Sequence, residues 1–153
     1  MTNKTLKNIR ICCYVAIVFC LVWAISSVIN TVSSFSSHPI DWPNGKMGKI
    51  FVLVCYAAGS IAMIGLCIKA VANVMKGVRE NNVFPRSNEK LLFWIALADF
   101  VYLLGHLNLQ VLWNEDLLFA LTPDVFLTPF FLLFFAFMYK VAADAVEENN
   151  LTI

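Results

Sequence analysis

Residues 9–32 read IRICCYVAIVFCLVWAISSVINTV, and Arg10 is the only charged side chain in this run. A helix needs about 20 apolar residues to cross the roughly 30 Å hydrocarbon core of a bilayer. The run is too long for the short apolar region of a cleaved signal peptide, and no clear small-residue cleavage pattern follows it. It therefore predicts a retained transmembrane helix.

Three further apolar runs follow, at about residues 50–72, 91–113 and 123–145, each separated from the next by a polar connection. The chain is 60% hydrophobic and 14% charged, whereas soluble domains are about half apolar and a quarter charged. We therefore expect an all-α integral membrane protein. The predicted architecture is a single membrane domain, a bundle of four transmembrane helices.

The orientation follows from the basic residues, which are concentrated at alternate ends of the predicted spans. Nine of the eleven lie on one side: Lys4, Lys7, Arg10, Lys69, Lys76, Arg79, Arg86, Lys90 and Lys140. Only Lys46 and Lys49 lie on the other. Because basic residues are retained in the cytoplasm, both termini, a loop at 76–90 and a tail at 146–153 are expected there. The predicted location is the cytoplasmic membrane, with several passes.

No sequence pattern indicates an enzyme, a cofactor or a metal site. The five cysteines lie inside apolar runs without a C-x-x-C spacing, so they fit packing better than metal binding or a disulfide framework. No nucleophile elbow, zinc-protease motif or phosphate loop is present. The net charge of +1 gives no reason to expect direct binding of nucleic acid.

The third span carries a polar stripe at spacings of three and four, so that its members share one helix face: Asp99, Tyr102, His106 and Gln110. A carboxylate inside the membrane costs about 2.5–3.5 kcal/mol on insertion scales and should face the bundle. One interpretation is a proton relay or a polar ligand cavity. The other is structural, with hydrogen bonds from the stripe to three polar residues on one face of the first span: Ser26, Ser27 and Asn30.

Two segments resemble a known family. GVRENNVFPRSNEKLLFWIA at residues 77–96 and AVEENNLTI at residues 145–153 are similar to segments of domain of unknown function 2975, a family of small bacterial four-span membrane proteins. The length and the number of spans also fit. Family members often have a basic pair and Leu-Gln before the acidic tail, whereas this chain reads KVAADAVEENN at 140–150. A function that needs those basic residues is therefore in doubt.

The resemblance implies no enzymatic activity, and it implies a cytoplasmic partner, because such proteins often accompany helix-turn-helix regulators of the Xre type. We therefore expect a sensor or membrane partner that binds such a regulator. The candidate binding residues lie in the loop and the tail: Arg79, Asn82, Phe84, Arg86, Asn88, Glu147, Glu148, Leu151 and Ile153.

Two alternatives stay open at this point. Asp99 and His106 would also suit a small transporter or proton-coupled carrier subunit, which would have to form a homo-oligomer because four spans are few for a carrier. The chain could instead be a toxin-immunity or envelope-protection protein. The oligomeric state is itself left open by the sequence.

Overall fold

The computed structural model describes residues 3–37, 46–80, 82, 84–113 and 119–151. Within them the chain forms four α-helices: α1 (Asn3–Ser37), α2 (Lys46–Arg79), α3 (Ser87–His106) and α4 (Asp124–Leu151). A short 3₁₀ helix at Leu109–Leu112 follows α3. The predicted all-helical class is confirmed.

Three of these helices contain segments that are long and apolar enough to cross a membrane: Lys4–Ser33 in α1, Lys46–Arg79 in α2 and Asp124–Glu148 in α4. These segments support the expectation of a helical membrane protein. α3 is not among them, because it has 20 residues and three of these, Glu89, Lys90 and Asp99, are charged.

The helices pack in the order of the chain. α2 packs against both α1 and α3, and α3 packs against both α2 and α4. Large apolar side chains remain exposed on the two outer helices, for example Phe19 and Ile25 on α1 and Phe130 and Phe135 on α4. Such surface is stable in contact with lipid tails, which are themselves apolar.

The contact between α1 and α2 uses small side chains of α1. Cys13, Cys20 and Ser27 follow one another at seven-residue spacing, and each is more enclosed than the residue that follows it. Seven residues correspond to about two helical turns, so these side chains form one seam. All five cysteines are free thiols.

The connection between α2 and α3 is shorter than the predicted loop at 76–90, because α2 continues to Arg79 and α3 already begins at Ser87. The turn starts at Gly77, whose carbonyl accepts bonds from the backbone N–H groups of Glu80 (2.9 Å) and Asn82 (2.8 Å). A side chain at residue 77 would collide with the carbonyl oxygen of Asn82. This position therefore requires glycine.

The other end of α3 also differs from the prediction, which continued the third span to Trp113. The α-helix ends at His106, and a turn at Leu107 and Asn108 leads into the 3₁₀ helix. The Asn108 amide accounts for the break. It donates to the Leu104 carbonyl (3.0 Å) and also bonds the backbone of Ala120. Asparagine side chains commonly compete with the regular helix for backbone partners in this way.

The predicted tail at 146–153 is helical as far as the structure describes it. α4 begins at Asp124, one residue after the predicted start, and runs to Leu151. Two features explain the extension. The segment from 144 to 151 contains neither proline nor glycine, and the carboxylates of Asp144 and Glu147 are both held by Arg86.

Candidate functional site

The site is positioned by a close contact between the backbones of α2 and α3. A Cβ atom added to Gly59 would lie 2.5 Å from the Tyr102 Cα atom, and one added to Gly105 would collide with the Tyr56 backbone. The two contacts are reciprocal, since each helix contributes one glycine and one tyrosine. Small residues at such crossings allow membrane helices to approach closely. Here the approach brings the two tyrosine rings together.

Four aromatic rings pack together at this crossing. The ring of Tyr102 stacks on that of His106, with 5.1 Å between centroids and an interplanar angle of 14°. Tyr56 lies beside both rings, at centroid distances of 5.8 Å and 6.0 Å. Trp23 of α1 meets Tyr102 edge to face at 5.5 Å. These contacts join α1, α2 and α3 at one level of the bundle.

Hydroxyl groups join α1 to α2 at the same level. The Tyr56 hydroxyl lies 3.0 Å from both Ser27 Oγ and Thr31 Oγ1. Thr31 Oγ1 already donates its proton to the Ser27 carbonyl at 2.7 Å, so Tyr56 must donate to Thr31 and accept from Ser27. The hydroxyl protons of Ser27, Thr31 and Tyr56 are therefore all used. These three hydroxyl groups can offer only lone pairs to a ligand.

A cavity of about 400 Å³ opens beside these groups. Its lining combines hydroxyl and amide groups with aromatic rings: Ser26, Ser27, Asn30, Thr31, Trp23, Phe35, Tyr56, Tyr102, His106, Trp113 and Leu109. None of these side chains is an acid, a lysine or an arginine. Small-ligand sites of about 300–1,000 Å³ with a few placed polar groups are typical of proteins.

Three exposed polar side chains of the lining have no hydrogen-bond partner within the described part of the chain. They are Ser26 and Asn30 of α1 and His106 of α3. In a membrane helix a polar group without a partner is costly. These groups therefore point to water or a polar ligand in the cavity.

The predicted polar stripe does not act as one unit. Tyr102 and His106 line the cavity, whereas Asp99 and Gln110 are not part of its lining. Asp99 is buried, and its Oδ2 atom has no hydrogen-bond partner among the described residues. Gln110 is exposed on the 3₁₀ helix.

The three residues of α1 that were predicted to bond the stripe make other contacts. Ser27 bonds Tyr56 of α2, while Ser26 and Asn30 line the cavity, and none of the three bonds the stripe within the described residues. Sequence reasoning missed six residues of the lining: Trp23, Thr31, Phe35, Tyr56, Leu109 and Trp113. Of these six, only Tyr56 gave a signal in the sequence, because its hydroxyl stands out among the small and apolar side chains of the segment VCYAAGS.

At the opposite end of the helices, the connection before α3 is clasped to α4. Arg86 forms ion pairs with Asp144 (3.0 Å) and Glu147, and the ring of Phe84 meets that of Tyr139 edge to face at 5.5 Å. We call these five residues the clasp. Its charged side chains are 44–61% exposed, so each ion pair contributes little to stability.

The other residues predicted to bind a partner are placed differently from one another. Asn88 is buried, and its amide bonds Asn73 (2.8 Å) and the Ala70 carbonyl (2.9 Å), so it is not accessible to a partner. Asn82 accepts a bond from the Phe84 N–H. Arg79 and Glu148 are exposed. The side chain of Leu151 and the whole of Ile153 lie outside the described residues.

No protein-family model, curated protein or solved structure matches this chain.

Proposed function

We propose that this chain is a non-enzymatic membrane receptor, which binds a small ligand in the cavity and a regulatory protein at its cytoplasmic end. The observation that carries the proposal is the cavity itself, with the unpartnered polar groups of Ser26, Asn30 and His106. The clasp lies at the other end of the same helices. A receptor needs two such separate surfaces.

The proposal includes four spans with both termini in the cytoplasm. The 20 residues of α3 extend about 30 Å at roughly 1.5 Å per residue, which equals the thickness of the hydrocarbon core. If α3 crosses, the basic connection lies in the cytoplasm, as the distribution of basic residues favours. The cavity then lies toward the outer side of the membrane.

Cysteine labelling in intact cells tests this topology. In a chain whose five native cysteines are replaced by serine or alanine, Phe119→Cys should react with a membrane-impermeant maleimide. Glu80→Cys and the control Lys4→Cys should react only after permeabilisation. All three native side chains are exposed, so burial cannot cause a difference in labelling between the three positions. If α3 failed to cross, residues 80 and 119 would lie on the same side and would label alike.

The partner that we propose is the Xre-type helix-turn-helix regulator implied by the family resemblance. The surface that supports this proposal is the clasp together with a cavity of about 220 Å³ against it, lined in part by Asn82, Ala143 and Val146. Phe84 offers an apolar anchor and Arg86 an exposed charge beside it. Aromatic and arginine side chains are enriched among the residues that dominate binding energies.

Affinity purification in a mild detergent tests the partner. The native chain should recover a small DNA-binding protein from the host. The double variant Phe84→Ala/Arg86→Ala should lose at least about nine-tenths of it, since anchors of this kind each contribute about 2 kcal/mol or more. Lys76→Ala is the matched control, because Lys76 is exposed on the same end of the molecule and forms no ion pair within the described residues. Equal recovery with all three chains would contradict the proposal, as would recovery of no such protein by the native chain.

A further inference from the structure

We infer that the cavity takes an uncharged polyhydroxylated ring, that is, a glycosyl group, either as the headgroup of a lipid or as a free sugar. The inference rests on the proposed receptor function, because it names the ligand of the same cavity. Three properties of the lining lead to it: its hydrogen-bonding capacity, its aromatic wall and its lack of charge.

The hydrogen-bonding capacity selects a ligand with hydroxyl groups. The cluster of Ser27, Thr31 and Tyr56 has used its own protons and offers only lone pairs, so it needs a ligand that donates. Ser26 and Asn30 can both donate and accept. A hydroxyl group does both as well, whereas a ligand that carries only carbonyl or ester oxygens would leave the lone pairs of the cluster unpaired.

The aromatic wall selects a ring. Trp23, Tyr102 and His106 are fixed against one another by the edge-to-face and stacked contacts at 5.5 Å and 5.1 Å. Phe35 and Trp113 form a second pair, with 5.9 Å between centroids. Rigid aromatic side chains provide large apolar contact at little cost in conformational entropy. The C–H face of a pyranose ring is apolar and flat enough to pack on such a wall while its edges carry the hydroxyl groups.

The lack of charge excludes phosphate, carboxylate and ammonium groups as the part of the ligand that is bound. A charged group inside a membrane requires a charged or strongly polar partner, and the described lining contains no acid, lysine or arginine. Ser26, Asn30 and His106 are exposed, so the cavity is open along the side of α1. An attached alkyl chain could therefore remain outside it.

The test uses the whole chain in phospholipid nanodiscs, extracted with an amine-oxide detergent so that no sugar is carried over. With Trp42 and Trp94 replaced by phenylalanine, fluorescence reports on Trp23 and Trp113, both in the lining. The probes are octyl glucoside below its micellar concentration, methyl glucoside, and octyl tetraethylene glycol ether as an amphiphile without a sugar. Saturation-transfer NMR of the sugar protons gives a second readout.

We expect octyl glucoside to bind and to transfer saturation to its sugar protons. Asn30→Leu should weaken this binding about tenfold, as expected for the loss of a hydrogen-bonded amide, while Gln110→Leu, outside the lining, should not. Binding of methyl glucoside as well would assign a free sugar, and its absence would assign a lipid headgroup. Equal binding of the ether, no binding, or binding unchanged by Asn30→Leu would overturn the inference. If octyl glucoside binds as expected but affinity purification recovers no cytoplasmic partner, only the receptor role is overturned.

Discussion

Replacing Gly105 with alanine should destabilise the protein by about 1–3 kcal/mol, the usual cost of forcing a methyl group into a packed contact. The added Cβ atom would collide with the backbone of Tyr56, and backbone cannot rotate away as a side chain can. α2 and α3 would have to separate. Thermal unfolding in detergent, followed by circular dichroism, measures the loss as a lower midpoint temperature.

Gly65→Ala is the matched control for this substitution. It makes the same chemical change in a helix of the same pair, but its added Cβ atom would meet nothing within 4 Å. Because alanine is favoured over glycine inside helices by about 1 kcal/mol, this variant should be unchanged or slightly more stable. Gly59→Ala should behave like Gly105→Ala, since its Cβ would lie 2.5 Å from the backbone of Tyr102. Equal midpoints for Gly105→Ala and Gly65→Ala would show that the helices do not cross at these glycines.

Replacing Asn108 with alanine should release the segment that follows α3. The buried amide of Asn108 donates to the Leu104 and Ala120 carbonyls and accepts a 2.7 Å bond from the Ala120 N–H. Removing it takes the side-chain partner from three part-buried backbone groups, and the three lost bonds together cost about 1–3 kcal/mol. Hydrogen exchange should therefore become faster at the Ala120 amide, which loses its acceptor.

Gln110→Ala is the control for this second prediction. Gln110 lies two residues away and is exposed, and its side chain makes no hydrogen bond within the described residues. Its loss should change neither the unfolding midpoint nor the exchange at Ala120. Exchange at Ala120 that is equally slow in both variants would contradict the role given to Asn108, whatever the effect on stability.

The sequence predicted the elements that local composition determines. It did not predict the features that depend on contacts between distant residues. α1, α2 and α4 followed from apolar runs, which are properties of neighbouring residues. The end of α3 did not, because it depends on Asn108 reaching Ala120, twelve residues further along. The contact between the tail and the connection before α3 likewise joins distant residues, because Arg86 lies 58 residues before Asp144.

The candidate site was predicted only in part for the same reason. Helical spacing placed Tyr102 and His106 on one face, and both line the cavity. Ser26 and Asn30, which were predicted to bond the stripe, line the cavity instead. Helical spacing could not show that Asp99 lies outside the cavity, because a helix face is wide and the register between helices decides which part of it meets a neighbour. Nor could it find Tyr56, whose position depends on the crossing with Gly105.

The run at residues 9–32 and its counterparts determined by themselves that this is a helical membrane protein, because the free energy of transfer into lipid depends on the composition of each segment alone. The tertiary structure decided where those helices meet. Gly59 and Gly105 allow two backbones to touch, and this contact brings the side chains of three helices around one cavity. Such a meeting depends on register and close packing between residues far apart in the chain, and no local pattern encodes it.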